Sequence, residues 1–321
     1  MRPEPRSELR DLPRAIHGGD APPGVLDFST GVSPLPPPRA ILDAVRTADV
    51  TRYPHPTARP LCEAIAAQQR LDPDCVVAGA GSVELIWALA RAFGGPGRRV
   101  AFVAPAFGEY AQAARASGAE VMAGDVTVEC DLLFAARPGN PLGDVPVLDR
   151  ARASLVVVDE AYQPLSPLAP VAPSESRAVL RSLTKVFALP GLRLGYLLAS
   201  PTVAAAVRAS LPPWNVSQPA IAAGLAALAE PVEPVRAAVD RLRARLVARL
   251  AVIGVTPRAA FASFVVVDVG DARSFTASML AAGIRVRDCT SFGLPSLVRL
   301  GVRGDEDQER LVAAWPSRSP R

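Results

Sequence analysis

The chain contains one lysine, Lys185, in the stretch RSLTKVFALPGLRLGY (181–196); every other cation among its 35 Lys and Arg is arginine. A GC-rich codon bias explains the arginines but not the exception. A guanidinium stays protonated and is a poor nucleophile, whereas a lysine amine can lose its proton and condense with an aldehyde as a Schiff base. A chance surface lysine is the bland alternative, so the neighbours must decide. Asp159 closes the apolar run SLVVVD, 185 − 159 = 26 residues earlier. An acid at the end of a buried strand is costly without a partner. A helix cap or an arginine would provide one, and so would a protonated pyridine nitrogen. The turn GAGSVE (79–84) would leave the amides of Ser82 and Val83 free at a helix start, where they favour phosphate. Ser182 and Arg193 flank the lysine and offer that phosphate a hydroxyl and a guanidinium. Phe107 follows the run RRVAFVAP, where a ring can fill core or stack on a flat ligand. An amine for an aldehyde, an acid for a pyridine nitrogen, a phosphate cradle and a stacking ring together describe a site for pyridoxal 5′-phosphate (PLP). That cofactor acts as an electron sink while the protein selects the bond that breaks.

Short apolar runs must carry these groups: CVVAGAG (75–81), RRVAFVAP (98–105), DLLFAARP (131–138), SLVVVDEAY (154–162) and AVLRSLTK (178–185). Helical stretches alternate with them. Strands that are apolar on successive residues are covered on both faces, so the pattern predicts an α/β fold with a mainly parallel sheet sandwiched by helices. Ligands of such sheets sit at strand carboxyl ends and helix N-termini, where all the groups above fall. A long helical pattern runs from about 218 to 251. Then FASFVVVDV, a helix at 273–282, IRVRDC, LVRLGV and a last helix read as a smaller α+β domain. The expected division is an arm over 1–38 packing with the small domain, a large cofactor domain over 39–215 and the small domain over 216–321.

With 321 residues, 50% hydrophobic and 21% charged, the chain can bury a sizeable core. Its net charge is 35 − 31 = +4, scattered rather than gathered into a basic run, which argues against nucleic acid. Cys62, Cys75, Cys130 and Cys289 are far apart and form no Cys/His cluster, so neither a metal site nor a disulfide framework is expected. Residues 1–16 are polar and proline-rich, unlike a signal peptide, and no apolar run could span a membrane; a cytoplasmic protein is the expectation.

The motifs, in order and over most of the chain, resemble the fold-type I PLP enzymes of aminotransferase class I/II, with the aspartate aminotransferase-like fold. S-L-T-K followed by G-x-R-x-G-Y (182–196) is the specific signature, joined by D-E-A-Y (159–162), N-P-L-G (140–143) and R-Y-P (52–54). The resemblance implies that Lys185 is the catalytic lysine, that Asp159 holds the pyridine nitrogen, and that Tyr162 and Asn140 hydrogen-bond the ring hydroxyl. It makes Phe107 the stacking ring, with Tyr110 nearby on the substrate side. It also implies a homodimer, in which Tyr53 reaches the cofactor phosphate of the neighbouring subunit.

Within the family the chain is most similar to the threonine-phosphate decarboxylases of cobalamin biosynthesis. H-G-G (17–19) followed by LDFSTGVSP, the lysine stretch, and VRDCTSFGLP with LVRLGVR carry that likeness. Histidinol-phosphate aminotransferases share R-Y-P, D-E-A-Y and the C-terminal V-R pattern. Arg299 matches the family's arginine for the substrate anion. Arg303 is extra relative to the aminotransferases, and His17 lies in the H-G-G placed near substrate phosphate. The favoured expectation is therefore decarboxylation of O-phospho-L-threonine to (R)-1-aminopropan-2-yl phosphate, with a phosphorylated amino acid or amine as substrate. Transamination of histidinol phosphate is the alternative, because the same cofactor residues serve both reactions. A non-catalytic binding module of the same fold is a more distant one. The chain departs from the family at Gly139, where an asparagine is usual, and at Arg137, where a small polar residue is usual. The intervals 121–136 and 144–158 are short, so helices beside the cofactor strands should be trimmed.

Overall fold

A computed structural model describes residues 4–10, 12 and 14–316. The elements, in chain order, are β1 (Leu26–Asp27), α1 (Arg39–Arg46), α2 (Arg59–Gln69), β2 (Val76–Gly79), α3 (Ser82–Phe93), β3 (Arg99–Val103), α4 (Gly108–Ser117), β4 (Glu120–Gly124), β5 (Cys130–Ala136), β6 (Ala153–Asp159), β7 (Arg177–Ser182), α5 (Leu183–Val186), β8 (Gly195–Leu198), α6 (Pro201–Ala209), α7 (Gln218–Ala227), α8 (Glu233–Val252), β9 (Arg258–Ala262), β10 (Phe264–Asp268), α9 (Ala272–Ala281), β11 (Ile284–Arg285), β12 (Arg287–Asp288), β13 (Leu297–Gly301) and α10 (Asp305–Ala313).

The apolar runs form a seven-stranded sheet in the order β2-β8-β7-β6-β5-β3-β4. All its pairs are parallel except those made by β8, which is antiparallel to both neighbours. Alternate residues explain why the runs are apolar throughout. Leu132, Phe134 and Val157 face a core formed with α3, α4 and α6, whereas Leu133, Val156 and Val158 face the other side. On that second side, α2 and α7 cover the β2/β8/β7 half, through Leu61, Ile65 and Ile221. Over β3, β5 and β6, loop residues such as Val126 and Leu148 do the covering. The connections 125–129 and 137–152 hold no α-helix, only the single turn Leu148–Arg150.

A second sheet, β12-β13-β10-β9, is antiparallel and buries Val265, Val267, Val298 and Leu300 against α8, α9 and α10. The segment around residues 26–33 ties the two sheets together. β1 pairs parallel with β11, the Gly301 amide donates to the Phe28 carbonyl at 2.7 Å, and the Ser33 amide donates to the Lys185 carbonyl at 2.9 Å.

Two elements differ from expectation. The helical pattern over 218–251 is two helices, α7 and α8, separated where Pro231 and Pro234 remove amide donors and oppose a continuous helix. The run 178–185 is not one strand: β7 ends at Ser182 and α5 follows, so Lys185 projects from a single helical turn. Among the described residues, no helix is long and apolar enough to cross a membrane.

Candidate active site

A cavity with about 630 Å3 of unfilled space, partly open to solvent, lies at the carboxyl ends of β5, β6 and β7 and at the N-terminus of α3. It is continuous with a wider cleft that reaches β12, β13 and the segment around His17. Lys185 lines both, its Nζ 5.4 Å from the centroid of the Tyr162 ring. Burial alone would raise the Tyr162 phenol, but Lys185 and then Arg299 outweigh it and leave the phenol below its usual value.

Asp159 ends β6 with a buried carboxylate. Its Oδ1 accepts from the Ala161 amide at 2.9 Å and its Oδ2 from the Tyr110 hydroxyl at 2.7 Å. Burial raises its pKa against the lowering effects of Tyr110, the Ala161 amide and Lys185. In the same cavity, α3 begins after Gly81 with no side-chain cap, leaving its first amides without intrahelical partners beside Ser82 and Val83. Gly81 has φ +84°, and a Cβ there would lie 2.4 Å from Arg193 Nη2, so only glycine lets the guanidinium approach the turn. Ser182 Oγ and Thr184 Oγ1 are 2.8 Å apart and line the same space. Phe107 stands at the wall, edge-on to Tyr110 at 5.8 Å. Amides, hydroxyls and a guanidinium suited to a phosphate, a buried carboxylate suited to a protonated ring nitrogen, and an amine suited to an aldehyde all line one cavity, and these are the groups that PLP requires.

Asn140 lies between cavity and cleft, and its Oδ1 accepts from Arg299 Nη1. Arg299 Nη2 also donates to the Ser29 carbonyl at 2.9 Å, while its buried Nε has no partner among the described residues. Directly opposite Arg299 in the β12–β13 register is Arg287, which also lines the cleft. Arg287 donates to the Ile16 carbonyl at 2.7 Å and to Ser291 Oγ at 2.8 Å, and sits 4.8 Å from the Phe292 ring. Burial, and then Arg299, push this guanidinium below its usual value. Sequence reasoning missed Arg287 and Thr184. Thr184 adjoins the lysine in S-L-T-K, and Arg287 stands in V-R-D, so both were in view without a spatial reason to choose them.

Two expected substrate residues, Tyr110 and Arg303, do not line the substrate cleft. Tyr110 is buried in the wall of the cavity but does not line the wider cleft; it stacks on Phe134 at 5.0 Å and its hydroxyl donates to Asp159. Arg303 donates through Nε to the Asp27 carbonyl at 2.5 Å and lines neither cavity, because β13 has ended and the chain has turned behind β1. Tyr53 is 83% exposed, paired at 4.9 Å with Trp214 on the surface, outside its own chain's cavity. His17 does line the cleft. Its Nε2 meets Glu109 Oε1 at 2.7 Å, and Trp87 donates to the second oxygen of that carboxylate at 2.7 Å. The His17 bond, outweighing burial and joined by Trp87, holds Glu109 below the usual carboxylate range. Gly139 opens a tight loop. The 139–144 loop closes on itself, with the Gly139 amide donating to the Asp144 carbonyl at 2.7 Å, and a Cβ at 139 would collide with the Asp144 carboxylate.

The family model for aminotransferase class I and II matches residues 23–314. The chain belongs to that family. A histidinol-phosphate aminotransferase of Symbiobacterium thermophilum is 36% identical over 97% of this chain and 94% of its own. The histidinol-phosphate aminotransferase of Sinorhizobium meliloti, solved with PLP, superposes with a TM-score of 0.78 at 23% identity over 91% of this chain and 90% of that one. An L-threonine-O-3-phosphate decarboxylase of Porphyromonas gingivalis superposes with a TM-score of 0.79 at 22% identity over 90% and 98%. The fold is thus the aspartate aminotransferase-like fold, and PLP is the cofactor of this class I and II enzyme.

Proposed function

We propose that the chain transfers the amino group of a small phosphate-bearing amine, of the histidinol-phosphate class, to a 2-oxo acid such as 2-oxoglutarate. The single observation that carries the anionic substrate of this reading is the pair Arg287 and Arg299. Each is more than nine-tenths buried, they face each other across β12 and β13, and among the described residues neither has a carboxylate within ion-pair reach. Two buried cations without an anion are expensive, and a phosphate or carboxylate entering the cleft would offset that cost with charge-assisted hydrogen bonds. The 36% identity to a histidinol-phosphate aminotransferase supports amino transfer.

PLP, when bound, supplies a ring that draws electrons from whichever bond to the substrate's α-carbon breaks. The chain's own residues do the rest. The α3 amides, Ser182, Thr184 and Arg193 hold the phosphate; Phe107 packs on one ring face; Asp159 keeps the ring nitrogen protonated; Asn140 and Tyr162 hold the ring hydroxyl. Lys185 Nζ carries the proton that moves at the α-carbon during amino transfer. Arg299 and Arg287 orient the substrate's anion. Tyr53, exposed on its own subunit, completes the phosphate site of a second copy in a cytoplasmic homodimer.

A second reading is decarboxylation of O-phospho-L-threonine. Two arginines plus His17 in one cleft suit a substrate that bears both a carboxylate and a phosphate. The deciding experiment incubates PLP-loaded protein with O-phospho-L-threonine alone, and separately with histidinol phosphate and 2-oxoglutarate. Glutamate formation in the second mixture supports amino transfer. Aminopropanol phosphate and CO2 in the first, without any acceptor, would replace it with the decarboxylase reading.

A further inference from the structure

We infer, on the reading of Asp159 as partner of the cofactor's ring nitrogen, that Tyr110 is a positioning residue: it fixes which way the buried carboxylate faces, and through it the enzyme's grip on that nitrogen. Asp159 receives two hydrogen bonds, one on each oxygen. The Ala161 amide, from its own chain segment, takes Oδ1, and the Tyr110 hydroxyl, from the first turn of α4, takes Oδ2. Two donors on separate oxygens leave the carboxylate plane no freedom to turn.

The Tyr110 ring is itself immobilised. It stacks on Phe134 of β5 at 5.0 Å with 3° between planes, and meets the edge of Phe107 at 5.8 Å and 85°. The side chain is 1% exposed, so its hydroxyl has one partner and one direction. Burial, and then the neighbouring Asp159 charge, hold the phenol well above its usual value, so it stays a donor throughout the working pH range. Without that donor, Oδ2 would be buried with no partner, and the carboxyl group, already raised by burial, would take up a proton more readily. A neutral carboxyl cannot stabilise a protonated pyridine. Phe107 and Tyr110 are three residues apart on one helical turn, so the same turn sets both the stacking ring and the orientation of the acid.

The test uses Tyr110→Phe, which keeps the ring and its stacking. Apoprotein of wild type and variant is titrated by intrinsic fluorescence with PLP and with its 1-deaza analogue, which has carbon in place of the ring nitrogen. Loss of a hydrogen bond to a charged group predicts roughly ten- to hundredfold weaker PLP binding in the variant. The analogue should change by about twofold or less, because it has no nitrogen for Asp159 to hold. Equal losses for both ligands would make Tyr110 a packing residue only, and no loss for PLP would also overturn the inference. A wild type that does not prefer PLP over the analogue would remove the role of Asp159 itself, and a wild type that binds no PLP would remove the proposed function. In an Asp159→Asn background, Tyr110→Phe should have no further effect on PLP affinity; a full second loss there would count against positioning through Asp159, even if the single variant were poorly folded.

Discussion

Replacing Arg287 with methionine should separate the stability of this protein from its function. Arg287 is 6% exposed and Arg299, directly across the β12–β13 ladder, is 4% exposed. The substitution removes charge-assisted hydrogen bonds to Ile16 and Ser291, roughly 1.5–3 kcal/mol each, and a contact with Phe292 of about 0.5–2 kcal/mol. It also removes a buried guanidinium whose desolvation costs several kcal/mol and whose nearest like charge is Arg299. The terms nearly cancel, so the melting temperature of the apoprotein should move by only a few degrees in either direction, at roughly 2 °C per kcal/mol for a chain of this size. Anion binding has no such compensation. Losing a charge-assisted bond of about 1.5–3 kcal/mol weakens binding roughly 10- to 150-fold. The assay pairs thermal melts of the apoprotein with titration of the holoenzyme by O-phospho-L-threonine, read from cofactor absorbance. A melt lowered by more than about 10 °C with unchanged affinity would refute the reasoning, and would make Arg287 a structural tie for the chain at residue 16.

Lys185→Ala should fold normally by circular dichroism yet lose the visible absorbance of lysine-bound PLP, with turnover down by about 10²–10⁴-fold or more; retained absorbance would displace Lys185 from its role. Asp159 titrates above its ordinary value of 3.8 because it is buried, so the folded apoprotein binds that proton more tightly than the unfolded chain. The charge therefore costs no stability below about 3.8 and an increasing amount as pH rises through the raised value. Asparagine carries no such penalty. The melting temperature of apo Asp159→Asn minus that of apo wild type should then increase from acid to neutral pH, and a flat difference would count against the burial argument. Mixing Tyr53→Ala with Lys185→Ala subunits should restore about a quarter of wild-type activity, because random pairing puts one intact site in half the dimers; no recovery after dissociation and remixing would exclude Tyr53 from the partner's site.

The residues that make one local bond each were legible in the chain itself. A lone lysine among arginines, an acid ending an apolar run and a glycine turn opening a helix each declare their chemistry through residue type and position. Strands buried on both faces write their own signature, so the mainly parallel sheet followed from SLVVVD and DLLFAA. Local reading failed where a boundary depends on backbone donors, as at Pro231 and Pro234 between α7 and α8, and where a run of apolar residues changes from strand to helical turn at Ser182. It also could not decide which way a side chain faces. Arg303 and Arg287 look alike in sequence, yet the register of β12 against β13 turns Arg287 into the cleft, while the end of β13 sends Arg303 behind β1. Tyr110 read as a substrate residue from its nearness to Phe107, but α4 packs that face onto β5 and so delivers its hydroxyl to Asp159. Sequence determined which groups are present and what each can do. Tertiary packing decided which of them meet, because a pairwise contact between distant elements depends on register and crossing geometry that no single segment encodes.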